Sequence, residues 1–198
     1  MLSNLTINSV STSSIQWQQL DSSEITTSVT QVEFDISTYW PEYDVLKFVA
    51  TNIQVVTDST DLRWALSDDG GTNWYSNDLD TNINNYRFIW ASFRSDNGAP
   101  RWGASNNAYE MDWIATCGND ADACSNGWLT LRHWGNSSIN TTYNSEGVGF
   151  ESTSRPKISK VFGFANTAAA HDRIALHGGG NNIDSGNVVV YGHKRANT

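Results

Sequence analysis

Glu110 and Asp112 have the strongest claim to chemistry in this 198-residue chain. Two residues apart on a strand, they share one face. A retaining glycosidase needs two carboxylates about 5 Å apart, one as nucleophile and one as general acid. No further carboxylate follows on the strand, where Ile114 and Ala115 stand. The alternative is a solvent-facing acidic pair beside buried Met111 and Trp113.

Other constellations are weaker. The histidines are His133, His171, His177 and His193, with no HExxH and no His-x-His spacing for a metal. No G-x-S-x-G elbow holds a serine nucleophile. Gly178-Gly179-Gly180 is followed by Asn181-Asn182, without the Lys-Ser/Thr and helix of a phosphate cradle. Asp68-Asp69, Asp78, Asp80, Asp120 and Asp122 could offer oxygens to Ca²⁺, but none has EF-hand spacing. Cys117 and Cys124 enclose a short Gly/Asn/Asp/Ala loop. They either close a disulfide ring, worth about 2.5 kcal/mol before strain, or stay free thiols. Two cysteines without a CxxC pair do not make a zinc site. No cofactor or metal is expected.

Nine tryptophans are the most informative feature left. Trp64 and Trp90 alternate with polar neighbours and read as core. Trp17, Trp113, Trp128 and Trp134 fit either core or surface. Trp40 before Pro41, Trp74 after Gly70-Gly71, and Trp102 in Pro100-Arg101-Trp102-Gly103 lie in turn-like contexts. Loop aromatics stack on sugar rings, anchor a protein partner, or simply lid the local packing.

The elements that must position these residues are strands. Ile25 to Ile36, Tyr43 to Val56, Leu62 to Ser67 and Tyr86 to Phe93 carry strand patterns. So do Tyr109 to Thr116, Gly127 to Trp134, Gly147 to Ser152, Ile158 to Ala165, Arg173 to His177 and Asn187 to His193. Ala168-Ala169-Ala170 offers one helical turn at most. Ten to twelve strands split by turn chemistry predict an all-β chain, an antiparallel jelly-roll β-sandwich. No linker divides it, so residues 21–198 form one domain. Residues 1–20 read as an extended N-terminal arm, polar but carrying Leu5, Ile7, Ile15 and Trp17.

Charge narrows the partners. The net charge is -9 and the basic residues are scattered, so no positive face for nucleic acid is expected. No window approaches the roughly 20 apolar residues of a membrane helix. The start, Met1-Leu2-Ser3-Asn4, has neither the basic nor the apolar region of a secretory signal, which suggests synthesis in the cytoplasm.

Two stretches carry a resemblance. One is Tyr43-Asp44-Val45-Leu46-Lys47-Phe48 with Asn52-Ile53, followed by Leu62-Arg63-Trp64-Ala65-Leu66-Ser67-Asp68-Asp69-Gly70-Gly71. The other is the closing Val190-Tyr191-Gly192-His193-Lys194. Together they resemble bacteriophage virion proteins with jelly-roll domains: head-decoration (cement) proteins and tail-fibre or tail-tip domains. The resemblance implies a non-enzymatic structural protein on the outer surface of the virion, often a homotrimer. Its partner would be the major capsid protein or another virion protein. Two other readings stand beside capsid decoration. One is a carbohydrate-binding tail-fibre or adhesin domain that meets host glycan through Trp40, Trp74 or Trp102. The other is a sandwich-fold glycan-degrading enzyme using Glu110 and Asp112. The run from Glu110 to Ala115 resembles the start of the catalytic strand of jelly-roll endoglucanases.

With no general acid at position 114 or 115, the purified chain should hydrolyse no polysaccharide. Glu110→Gln should leave its behaviour unchanged. Turnover on a polysaccharide panel that this substitution abolishes would establish the enzymatic reading.

Overall fold

A computed structural model describes residues 16–76, 79, 86–95, 100–108, 111–120, 123–150 and 156–195. Among them are twelve strands: β1 (Trp17–Ile25), β2 (Gln31–Asp35), β3 (Tyr43–Val55), β4 (Thr60–Ser67), β5 (Tyr86–Arg94) and β6 (Arg101–Ala108), then β7 (Met111–Cys117), β8 (Ser125–Arg132), β9 (Thr142–Phe150), β10 (Pro156–Ala165), β11 (Arg173–His177) and β12 (Ile183–Lys194). The strands form an eight-stranded and a four-stranded sheet, paired antiparallel throughout.

The pairing is that of a jelly roll with two insertions. β1 pairs with β12, β2 with β11, β3 with β8 and β4 with β7. These four ribbons wrap into facing sheets ordered β1-β12-β3-β8 and β2-β11-β4-β7. The insertions are β5-β6, between β4 and β7, and β9-β10, between β8 and β11. Both join the same sheet, giving β1-β12-β3-β8-β9-β10-β5-β6. β5 pairs with β10 over nine residues, so the two insertions form one continuous extension.

Alternation explains most of this. β3 is central, flanked by β12 and β8, and buries Tyr43, Val45, Leu46, Phe48, Ala50, Ile53 and Val55. Its alternation breaks at Val45-Leu46, both buried, and again after Ala50, where the register against β8 jumps to Ile53. Asn52 takes up the irregularity at φ 53°, and its N–H donates to Asn126 Oδ1 at 2.9 Å. Between the sheets, Phe48 of β3 meets Phe34 of β2 and Trp64 of β4, with ring centroids 5.8 and 5.2 Å away. Tyr86 of β5 ties the extension to the small sheet: its hydroxyl accepts from the Leu66 N–H of β4 at 3.0 Å.

The sequence reading needs four corrections. Trp17–Leu20 belong to β1, paired with β12, so the sandwich begins before residue 21. The rest of the expected arm, residues 1–15, lies outside the described residues. The run from Ile25 to Ile36 is split, with β1 ending at Ile25 and β2 starting at Gln31. Residues 168–170 form no helical turn; the helix among the described residues is a single 3-10 turn, Ser37–Tyr39. Trp102, in a turn-like context by sequence, lies instead on the edge strand β6, Arg101–Ala108.

One core polar group sets a pH dependence. His171 is 2% exposed, and its Nδ1 lies 2.8 Å from the Thr141 hydroxyl. Its ring meets the Tyr75 ring edge-on at 5.4 Å, and its Nε2 has no hydrogen-bond partner among the described residues. Burial pushes its pKa down to about 4, against a small opposing pull from Asp68. The folded state therefore keeps His171 neutral, while the unfolded chain takes up a proton near pH 6.5. The stability this contributes is full above about pH 6.5 and is lost as pH falls towards 4. Urea unfolding should show that decline, and His171→Asn should reduce it by about 3 kcal/mol. An unchanged pH slope in the variant would assign the acid sensitivity to other groups.

Candidate functional site

Among the described residues, six of the nine exposed large apolar side chains lie on the outward face of the extension. On β5, Tyr86, Phe88 and Ser92 point inward and are buried, with Trp90 half-buried beside them. Their alternates, Ile89 and Phe93, are 60% and 50% exposed. On β10, Val161 and Ala165 are buried, while Ile158 and Phe162 face out, 41% and 53% exposed. Register assembles these into rows across the strands. Val148, Ile158 and Phe93 stand side by side on β9, β10 and β5. Phe162, Ile89 and Ala104 form a second row on β10, β5 and β6. Between them runs Glu146, Lys160, Ala91 and Trp102. Lys160 Nζ pairs with Glu146 Oε2 at 3.0 Å, so this row neutralises its own charges.

Trp102 is the part of this face that sequence reading singled out. It is 84% exposed, beside Ala91. Next to it, Gly103 has no side chain because Trp90 lies over it; a Cβ there would come within 2.7 Å of the Trp90 indole nitrogen. The other two candidate tryptophans pack elsewhere. Trp74 is 4% exposed, set against Ala65 of β4 and Ala175 of β11. Those small side chains make room for its indole, so its ring is closed to a glycan or partner. Trp40 is half-buried, edge-on to buried Trp134 at 5.6 Å, with the Arg195 guanidinium 4.5 Å over its ring. Gly135 lies flush against it, where a Cβ would approach within 2.2 Å. Trp40 and Trp74 therefore serve local packing.

The remaining candidates do not converge. Glu110 lies outside the described residues, and Asp112 stands on β7 opposite Arg63 in register. The acidic turn after β4 is closed by its own hydrogen bonds. The Asp69 carboxylate accepts from the Ser67 hydroxyl and the Asn73 N–H, at 2.9 and 2.8 Å. The Asn73 backbone bond, chiefly, holds the Asp69 pKa below the usual carboxylate range. Asp68 accepts from the Tyr75 hydroxyl at 2.7 Å, and Asp172 accepts from the Gly70 N–H. Gly70 and Gly71 supply positive φ of 76° and 83°, as the turn requires. Asp78, Asp80 and Asp122 lie outside the described residues. Among the described residues, no three His, Cys, Asp or Glu side chains gather as a metal site.

His171 is in the core, His177 is buried at the end of β11, His133 follows β8, and His193 pairs with Asp44 at 2.9 Å. Cys117 and Cys124 are free thiols. Cys117 is fully buried against the Ser125 hydroxyl, and burial pushes its pKa up to about 12, so its thiol stays protonated.

Two further surface features were not foreseen from sequence. Lys47 Nζ lies between two indoles, 5.1 Å from the Trp128 centroid and 6.0 Å from that of Trp17. An open, polar hollow lies between Ser22, Asn52, Gln54, Cys124, Ser185 and Asn187 on the β1-β12-β3 side. It has no exposed aromatic ring and sits away from the apolar face.

The broad apolar face, rather than a cleft with convergent polar groups, is thus the surface best suited to function. No family model matches the chain, and neither the curated proteins nor the solved structures contain a match to it.

Proposed function

We propose that the chain is a non-enzymatic virion structural protein, a decoration protein that stabilises a phage head from outside. The observation carrying this reading is the outward face of β6, β5, β10 and β9. Six large apolar side chains there are 40% to 84% exposed. Contiguous apolar surface on this scale marks a macromolecular contact, because water disfavours leaving it open. A small-molecule site would be concave instead. The resemblance supports the reading too: its motifs fall on β3, β4, the following turn and β12, the framework that carries the extension. The work is mechanical. Apolar area buried between subunits would have to be re-exposed before a shell could open.

The test uses heads of the phage that carries the gene, stripped of their surface proteins. The chain should rebind and raise the temperature at which the shell fails. A chain lacking residues 1–15 retains all of β1 and should fold but attach more weakly. Failure of the full chain to bind heads would overturn the reading.

One observation favours a second reading, glycan recognition by a tail-fibre-type domain: the exposure of Trp102. An open indole beside a flat strand can stack on a sugar ring. In that case Trp102→Ala should cost about 1–3 kcal/mol of affinity on a host-glycan array. Trp74→Ala should act through stability alone, given its burial. Absence of any glycan signal from the unmodified chain would remove this reading.

A further inference from the structure

We infer that the apolar face of the extension is a self-association surface, on which the same face of a second copy docks about a two-fold axis. The inference rests on the reading of this face as a macromolecular contact and names its occupant; contact with the shell then falls to other surfaces of the two-chain unit.

Three features select a second copy. The first is area. With aromatic side chains at roughly 150–250 Å² each, the aliphatic ones smaller, and most of the six only about half exposed, the face offers on the order of 600 Å² per chain. Two such faces together remove roughly 1,200 Å², the lower end of a specific interface. The second is charge. Copies of a chain with net charge -9 repel one another unless they meet where carboxylates are absent or neutralised. On this face Glu146 is already paired with Lys160, and Arg87 adds a positive charge at the end of β5. The third is uniqueness. Among the described residues, the large apolar side chains exposed elsewhere are Trp17, Val56 and Ile139, on β1, after β3 and after β8. They lie on separate elements.

The last feature decides the symmetry. A ring of three joins two different complementary patches on each chain, whereas a two-fold contact joins a patch to itself. Among the described residues this face alone gathers several exposed large apolar side chains, so its complement on a second copy is taken to be the same face. The assembly should therefore contain two chains, unlike the homotrimer implied by the resemblance. The central row fits this arrangement, because the Glu146–Lys160 pair of one copy can exchange partners with that of the other.

Sedimentation equilibrium of the full chain at micromolar concentration tests the inference. The expected mass is twice 21.9 kDa. The paired substitutions Ile89→Thr and Phe162→Thr remove neighbouring apolar side chains from the outward face and place strand-favouring, β-branched residues there. This variant should sediment as a single chain while keeping the circular dichroism and melting temperature of the parent. If it unfolds, Trp102→Ser on the edge strand serves as the second variant and should weaken association at least tenfold. A parent that stays single at every concentration, forms three chains, or still pairs when the face is altered would overturn the inference. Head binding is scored separately. A two-chain assembly that ignores heads would sink the decoration reading alone. A single chain whose face variant loses heads would sink the self-association alone.

Discussion

Contact between the two sheets at Phe48 is the constraint on which the rest of the structure depends. Phe48 sits on the central strand of the large sheet and touches Phe34 and Trp64 on two strands of the small one. None of the three is more than 3% exposed. Truncating such a side chain costs about 3–5 kcal/mol, a large part of the stability of a typical domain. The contact also fixes register. A one-residue slip of β3 would send Phe48 to the outer face and bring Lys47 or Val49 inward. Every strand beyond β3 in the large sheet, from β8 to β6, takes its register from that placement.

Stability and interaction divide between the two parities of the extension. On β5 and β10 the inward parity carries Tyr86, Phe88 and Val161, and Tyr86 is bound to the small sheet through Leu66. The outward parity carries Ile89, Phe93, Ile158 and Phe162, which contribute little to the isolated fold because they remain in water. Substitutions there should be nearly neutral for folding and costly for association. A solvated sheet face without a partner would ordinarily be polar. The eight-strand core of the jelly roll is complete without the extension, so the insertions add a face rather than closing the barrel.

Much of this was legible in the residues. The alternation of Leu62, Trp64 and Leu66, and of Tyr86, Phe88 and Trp90, located strands and their inner sides. β6 was hidden because Arg101-Trp102-Gly103-Ala104-Ser105-Asn106 has no apolar period; an edge strand pairs on one side only, and its small residues leave room for Trp90. That is why Trp102 was read in a turn. The outward face was present in the sequence as a failure of alternation: Ile89 and Phe93 occupy positions where a half-buried strand would carry polar residues. Reading them as a face needed the pairing of β5 with β10, which is long-range. Trp74 misled for the opposite reason. Its glycine-rich setting marks a turn, but only the fold shows that the turn lies back over Ala65 and Ala175.

Hydroxyl-radical footprinting of the chain at micromolar concentration tests most directly whether the outward face is the working surface. Trp17, 45% exposed on β1, is an internal reference away from the face. The account predicts that Phe93, Phe162 and Trp102 are labelled more slowly than their exposure in a single chain allows, while Trp17 labels fully. Labelling of Trp102 faster than Trp17, in proportion to its 84% exposure, would contradict it.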